Sequence, residues 1–178
     1  PYAEGKSAGE PPDTAVAAWV ALARVRQSAG DAAGALNAAR SASSRAPQAE
    51  SVALLAIELM RTSPEAEALV QGYLAADPSS QPAARSAVRL VYARTLAMAQ
   101  RYGDAVQQIE PVTRDAPQFS DAWLTLGALY LELKRPADAE AALRQYLARA
   151  EPEASGGAAE AGDGDGDAAT PAQRQAQA

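Results

Sequence analysis

Cysteine and histidine are both absent from the 178 residues. Without cysteine there are no disulfides, no thiolate zinc sites and no cysteine nucleophile, and thiol usage gives no clue to redox compartment. Without histidine the chain lacks the usual general base, the commonest metal ligand and the standard pH switch. Aromatic residues are scarce at 5%, against 48% hydrophobic residues in all, so a core must be built from alanine, leucine and valine. Such small side chains suit helices that approach closely, and alanine has the highest helix propensity. No apolar run reaches the length of about 18 residues that reads as a membrane-spanning helix, so membrane insertion is not expected.

Motifs that carry chemistry are missing as well. No glycine-rich phosphate loop, nucleophile elbow or metal-ligand constellation occurs. The nearest carboxylate pairs, Glu65 with Glu67 and Asp138 with Glu140, lie two apart on helical stretches and point in different directions, so they read as solvated faces. The run Asp163, Gly164, Asp165, Gly166, Asp167 begins like a calcium loop, but its sixth place is Ala168 instead of glycine. Its twelfth place is Arg174 instead of the bidentate glutamate, so a solvated linker is expected there. The reading is therefore non-catalytic, with no cofactor and no metal.

The net charge of −6 is unevenly spread. Residues 151–178 hold six acids against Arg174, and residues 1–13 hold three acids against Lys6. Between them, residues 14–150 carry 14 bases and 13 acids. Such a neutral body offers no phosphate-binding surface, and nucleic acid is not an expected partner.

What the chain does have is a spacing. Trp19, Leu22, Ala23, Gly30, Ala35 and Pro47 form a series that returns at Arg89, Tyr92, Ala93, Leu96, Ala105, Ile109 and Pro117. It returns again at Trp123, Leu126, Gly127, Tyr130, Ala139, Leu143 and Pro152. The three series agree in length to within one position, and Arg89 to Trp123 is a step of 34. A period of 34 with this layout resembles the tetratricopeptide repeat, a helix–turn–helix unit. The resemblance implies an all-α fold, about four hairpins stacked into a right-handed superhelix with a concave groove.

The chain divides accordingly. Residues 1–15, rich in proline, glycine and charge, read as a leader or linker, with Asp13 or Thr14 as N-cap of the first helix. The repeats cover about 16–49, 50–81, 82–119 and 120–152. In the first, Gly30 can take the left-handed conformation that ends a helix. The second is irregular: helix A runs from Glu50 to Arg61, Pro64 opens helix B, and the step from Pro47 to Pro78 falls three short of the period. That repeat is the expected weak point of the array. In the fourth, the Lys134-Arg135-Pro136 turn lacks the usual glycine, which should shift its geometry. Residues 153–170 read as a disordered acidic linker, and 171–178 as the start of a further helix opened by Thr170 and Pro171. Because Pro1 begins the chain and no polar capping helix follows the fourth repeat, the sequence reads as a piece of a longer array.

Within the resemblance, Trp19, Trp123, Tyr130, Ala35, Ala105 and Ala139 are packing positions, and Tyr73 and Tyr146 fill gaps against the next repeat. The groove wall is implied at five places of each helix A. These are Ala17, Val20, Arg24, Gln27 and Ser28 in repeat one, and Ser51, Leu54, Glu58, Arg61 and Thr62 in repeat two. Repeat three supplies Ala87, Leu90, Arg94, Ala97 and Met98, and repeat four Asp121, Leu124, Ala128, Leu131 and Glu132. The fifth place is apolar throughout (Val20, Leu54, Leu90, Leu124), and Arg24 and Arg94 stand at the ninth. An apolar stripe beside guanidinium groups suits a peptide with aliphatic anchors and a carboxylate. The clamp by which chaperone-binding members grip a C-terminal carboxylate is missing, since its places hold Val20, Arg24, Leu55, Ala87 and Val91. The expected function is a protein–protein interaction scaffold or adaptor that holds a peptide segment or partner subunit in the groove. The alternative is a structural segment of a longer repeat protein that mediates self-association. Alanine-rich, arginine-over-lysine composition points to a bacterium, and the chain resembles repeat proteins of the bacterial cell envelope or its assembly machinery. The choice between periplasm, envelope and cytoplasm stays open.

Overall fold

The computed structural model describes residues 12–76 and 81–156. The remainder of the leader, the acidic run 163–167 and the expected final helix 171–178 lie outside the described residues. Within them the fold is all helical and follows the tetratricopeptide pattern: α1 Pro12–Ser28, α2 Ala32–Arg45, α3 Glu50–Leu59, a 3₁₀ turn Pro64–Ala66, α4 Glu67–Ala75, α5 Pro82–Met98, α6 Tyr102–Asp115, α7 Ser120–Glu132 and α8 Pro136–Gly156. Consecutive helices pair into hairpins, and α1, α3, α5 and α7 lie side by side.

Two ends differ from the sequence expectation. Helix α1 is described from Pro12 onward, so Asp13 and Thr14 lie within the helix. Helix α8 continues through Pro152 to Gly156, where a stop was expected. By contrast, α2 and α6 end ahead of Pro47 and Pro117 in matching turns. Ala46 N–H donates to the Ala42 carbonyl at 3.0 Å, and Ala116 N–H to Val112 at 2.9 Å.

The turns inside the hairpins repeat one device. Gly30 sits at φ 80°, Gln100 at φ 60° and Lys134 at φ 57°. In each, this residue's N–H reaches back three residues and the next N–H reaches back five: Lys134 to Leu131 at 3.0 Å, Arg135 to Tyr130 at 2.8 Å. That is the Schellman closure of a helix. The absent glycine therefore does not shift the turn at Lys134; an ordinary residue adopts the same left-handed conformation. Repeat two has no such turn. Its α3 stops at Leu59, short of Arg61, and Ser63 opens the 3₁₀ turn instead.

The core forms two clusters that meet in α3. Val52, Leu55 and Leu59 face α1 and α2, while Ala53, Ala56 and Ile57 face the later repeats. A helix with apolar residues on two faces is buried from two sides, and Ser51 and Glu58 stay exposed on the rest of α3. Ala23, Ala35, Ala38, Ala39 and Ala42 are fully buried, so α1 and α2 approach as closely as the alanine content anticipates. Ala105, Ala139, Tyr130 and Tyr73 are buried as expected, and Tyr146 is half-buried. The tryptophans are only half-buried. Arg45 covers the Trp19 ring at 5.1 Å and Arg149 covers Trp123 at the same distance. Trp123 also donates its indole N–H to the Pro117 carbonyl at 2.9 Å. An indole needs that polar partner, which keeps it at the edge of the core.

Candidate functional site

Along the row α1, α3, α5 and α7 the surface is hollowed three times. A depression of about 400 Å³ lies between α1 and the start of α3, lined by Val20, Arg24 and Ser51 among others. A larger one of about 770 Å³ lies between α3 and α5, with Gln27, Glu58, Arg61, Val91 and Met98 in its wall. The third, about 510 Å³, lies between α5 and α7, lined by Arg94, Met98, Leu124, Ala128 and Glu132. Met98 belongs to the last two, is 80% exposed, and stands as the ridge between them. A fourth hollow of about 290 Å³, between the start of α5 and the end of α6, shares no residue with these.

The fifth-place stripe is less open than its sequence pattern implies. Val20 and Leu90 are buried and Leu54 is half-buried against the second core cluster; Leu124 alone of the four is exposed, at 40%. The cause is neighbour packing. Helices α1, α3 and α5 each have a following helix A against them, while no described repeat follows α7.

The ninth-place arginines are engaged within the chain. Arg24 reaches Glu58, Nε to Oε2 at 3.3 Å and Nη2 to Oε1 at 3.1 Å, and the Gln27 amide donates to the Glu58 carbonyl at 3.5 Å. Arg94 Nη2 meets Asp121 Oδ2 at 3.2 Å. Both pairs are exposed and join adjacent A helices. The sequence held the signal for the first, because Arg24 and Glu58 occupy one place in successive repeats with opposite charge. A fixed grip by these arginines on a ligand carboxylate would have to displace an internal partner.

Below the hollow between α3 and α5 lies a group that sequence reasoning misjudged. Glu67, expected on a solvated face, has a side chain only 19% exposed. It accepts from the Tyr92 hydroxyl at 2.5 Å and from Arg101 Nη1 at 2.8 Å. Arg101 also donates to Asp104 at 2.7 Å. The Arg101 hydrogen bond, reinforced by that from Tyr92 and by the guanidinium charge, holds the Glu67 carboxyl below the usual range against the opposing effect of burial. Burial and then the Glu67 contact push the Tyr92 phenol up to about 12. The spacing of 34 between Glu67 and Arg101 was a readable signal; what masked it was the assumption that the start of helix B faces water. Asp138 and Glu140 do face solvent, paired with Arg135 and Arg144.

No helix among the described residues is long and apolar enough to cross a membrane. Residues 96–161 match the tetratricopeptide repeat family. Among solved structures, the chain resembles PilF of Pseudomonas aeruginosa, with 23% identity and a TM-score of 0.55 over 79% of this chain; it spans 63% of that one. It also resembles two structures of MamA, at 13% identity and TM-score 0.57 over 78% of this chain and 75% of the other, and at 15% and 0.54 over 72% and 74%. No curated protein matches the sequence. Residues 96–161 thus carry the tetratricopeptide repeat signature, and the residues before them have the same stacked-hairpin fold, an all-α repeat scaffold of the kind that engages other proteins.

Proposed function

We propose that this scaffold is a non-catalytic adaptor that holds a peptide segment or partner subunit along the hollowed face of α1, α3, α5 and α7, in a bacterial envelope or assembly complex. The observation that carries the reading is the exposed apolar group Val91, Met98, Leu124 and Leu131, all on this row of helices. Exposed apolar residues gathered on one face mark an interaction surface more often than scattered ones do. The bacterial origin rests on composition, 16 basic residues of which only Lys6 and Lys134 are lysine, and the envelope or assembly setting on the resemblance to bacterial repeat proteins of that kind.

The experiment compares proteins captured from a bacterial lysate by the chain and by a Met98→Asp/Leu124→Asp variant with the same helical content and melting temperature. A partner lost only with the variant supports the reading. Identical capture by both proteins refutes it. A second reading, self-association, is favoured by Leu147, 56% exposed on α8. It requires sedimentation velocity to show an oligomer that Leu147→Glu turns into a monomer.

A further inference from the structure

The two hollows that meet at Met98 form one trough across α3, α5 and α7, and its charges are distributed in a way that specifies an occupant. Glu58 is taken by Arg24, Glu67 by Arg101, and Arg94 by Asp121. Among the described charged groups lining the trough, Arg61 and Glu132 alone have no hydrogen bond or ion pair. Both are exposed, Arg61 on the α3 side of Met98 and Glu132 on the α7 side. The trough is thus apolar at its centre, with one free positive charge at one end and one free negative charge at the other.

We propose that the trough receives an extended segment of a partner protein whose side chains run acidic, aliphatic, basic, with the acid at Arg61, the aliphatic group beside Met98 and Leu124, and the base at Glu132. This rests on the groove reading above and names the chemistry of its occupant. Neighbouring helices pack with axes about 8–10 Å apart, so α3 to α7 is about 16–20 Å. An extended chain covers that in about five or six residues. A helical ligand, about 10–12 Å across, would be lifted from both hollows by the Met98 ridge, whereas an extended one lowers side chains to either side of it. Opposite charges at the two ends set the direction in which the segment lies, and a segment of the reverse order would meet two like charges.

The test uses fluorescence anisotropy with two labelled synthetic peptides, each with central leucines and with aspartate and lysine about five residues apart, in opposite chain order. The chain binds one order in preference to the other. Arg61→Glu and Glu132→Lys each weaken that binding about three- to tenfold, and the double variant prefers the other peptide. Equal binding of both orders, binding of neither, or a preference unmoved by the double variant overturns the inference. Leu124→Asp separates this failure from that of the groove itself. Loss of peptide binding with Leu124→Asp but not with the charge reversals retains the groove and removes the charge order. Binding indifferent to all three variants removes both.

Discussion

The two junctions that flank repeat three use the same pair of residues and come out differently. In each, a tyrosine of the later helix A donates to a glutamate of the preceding helix B: Tyr92 to Glu67, and Tyr130 to Glu110 at 2.9 Å. Between repeats three and four, α6 lies along α7, and Val106, Ile109, Val112, Ala122 and Leu126 share one buried cluster. Between repeats two and three, α4 is nine residues long against fourteen for α6, and it approaches α5 far less closely. There polar contacts make up for part of the smaller α4–α5 overlap, in which Val70 and Tyr73 share the same buried cluster as Val88 and Tyr92. Glu67 takes Arg101 as a second donor, and Arg85, itself buried, donates to the Leu74 carbonyl at 3.0 Å and lies over the Tyr73 ring at 5.4 Å. The largest hollow along the row of A helices opens at this same junction. An array held by nearest-neighbour interfaces loses apolar area wherever a repeat is shortened, and here the room left over is an open hollow.

The severest way to break the contrast is through the helix both cores share. Leu59, fully buried in α3, truncated to alanine should destabilise the array by about 2–5 kcal/mol in chemical denaturation. If the two clusters are coupled through α3, unfolding stays a single transition; two separated transitions would show that they are not.

Next comes the polar lock. Glu67→Ala removes the carboxylate that the buried Tyr92 hydroxyl donates to and one of the two carboxylates on Arg101, an expected cost of about 1–3 kcal/mol. Glu110→Ala, which strands only Tyr130 in a junction already rich in apolar contact, should cost less. Equal losses at the two sites would mean that the polar contacts at repeat two replace nothing.

Proton linkage sharpens the same comparison. Glu67 has a lowered carboxyl pKa in the folded state, so its contribution is present above the ordinary carboxylate value and disappears as pH falls through the lowered one. Acid titration of stability should therefore flatten in Glu67→Gln relative to the parent. At the alkaline end Tyr92 and Tyr130 both stand at about 12, raised first by burial and then by their glutamates. Their contribution is present below the unfolded value near 10 and is lost as pH rises toward 12. A pH–stability curve unchanged by Tyr92→Phe in that alkaline window would contradict this.

The smallest effect belongs to the turns. Gln100→Gly and Lys134→Gly remove the steric cost of a left-handed backbone and should each raise stability by about 0.5–1 kcal/mol. A loss at either place would mean that the side chain contributes more than its backbone strain costs.

Much of this architecture was legible beforehand for local reasons. Alternating helices and turns follow from the 34-residue spacing, the prolines after α2 and α6, and alanines where helices touch. The shortness of repeat two showed in how soon Pro78 follows Pro47. Less legible were the groove residues, because places in a repeat say which way a side chain leaves its helix and not what meets it. Val20 and Leu90 were expected to stand open in the groove wall and are buried, although Val20 still lines the hollow between α1 and α3; Arg24 and Arg94, read as groups suited to a ligand carboxylate, bridge to Glu58 and Asp121. Met98 and Leu124 kept their exposure.

The sequence by itself determined that the chain is a stack of helical hairpins, since periodicity, propensity and helix-ending residues act within one repeat. Only the tertiary structure decided which charges are spent between repeats and which remain, leaving Arg61 and Glu132 free on either side of Met98. That outcome depends on distances between helices that are far apart in the chain, and those distances follow from how closely each repeat packs on the next.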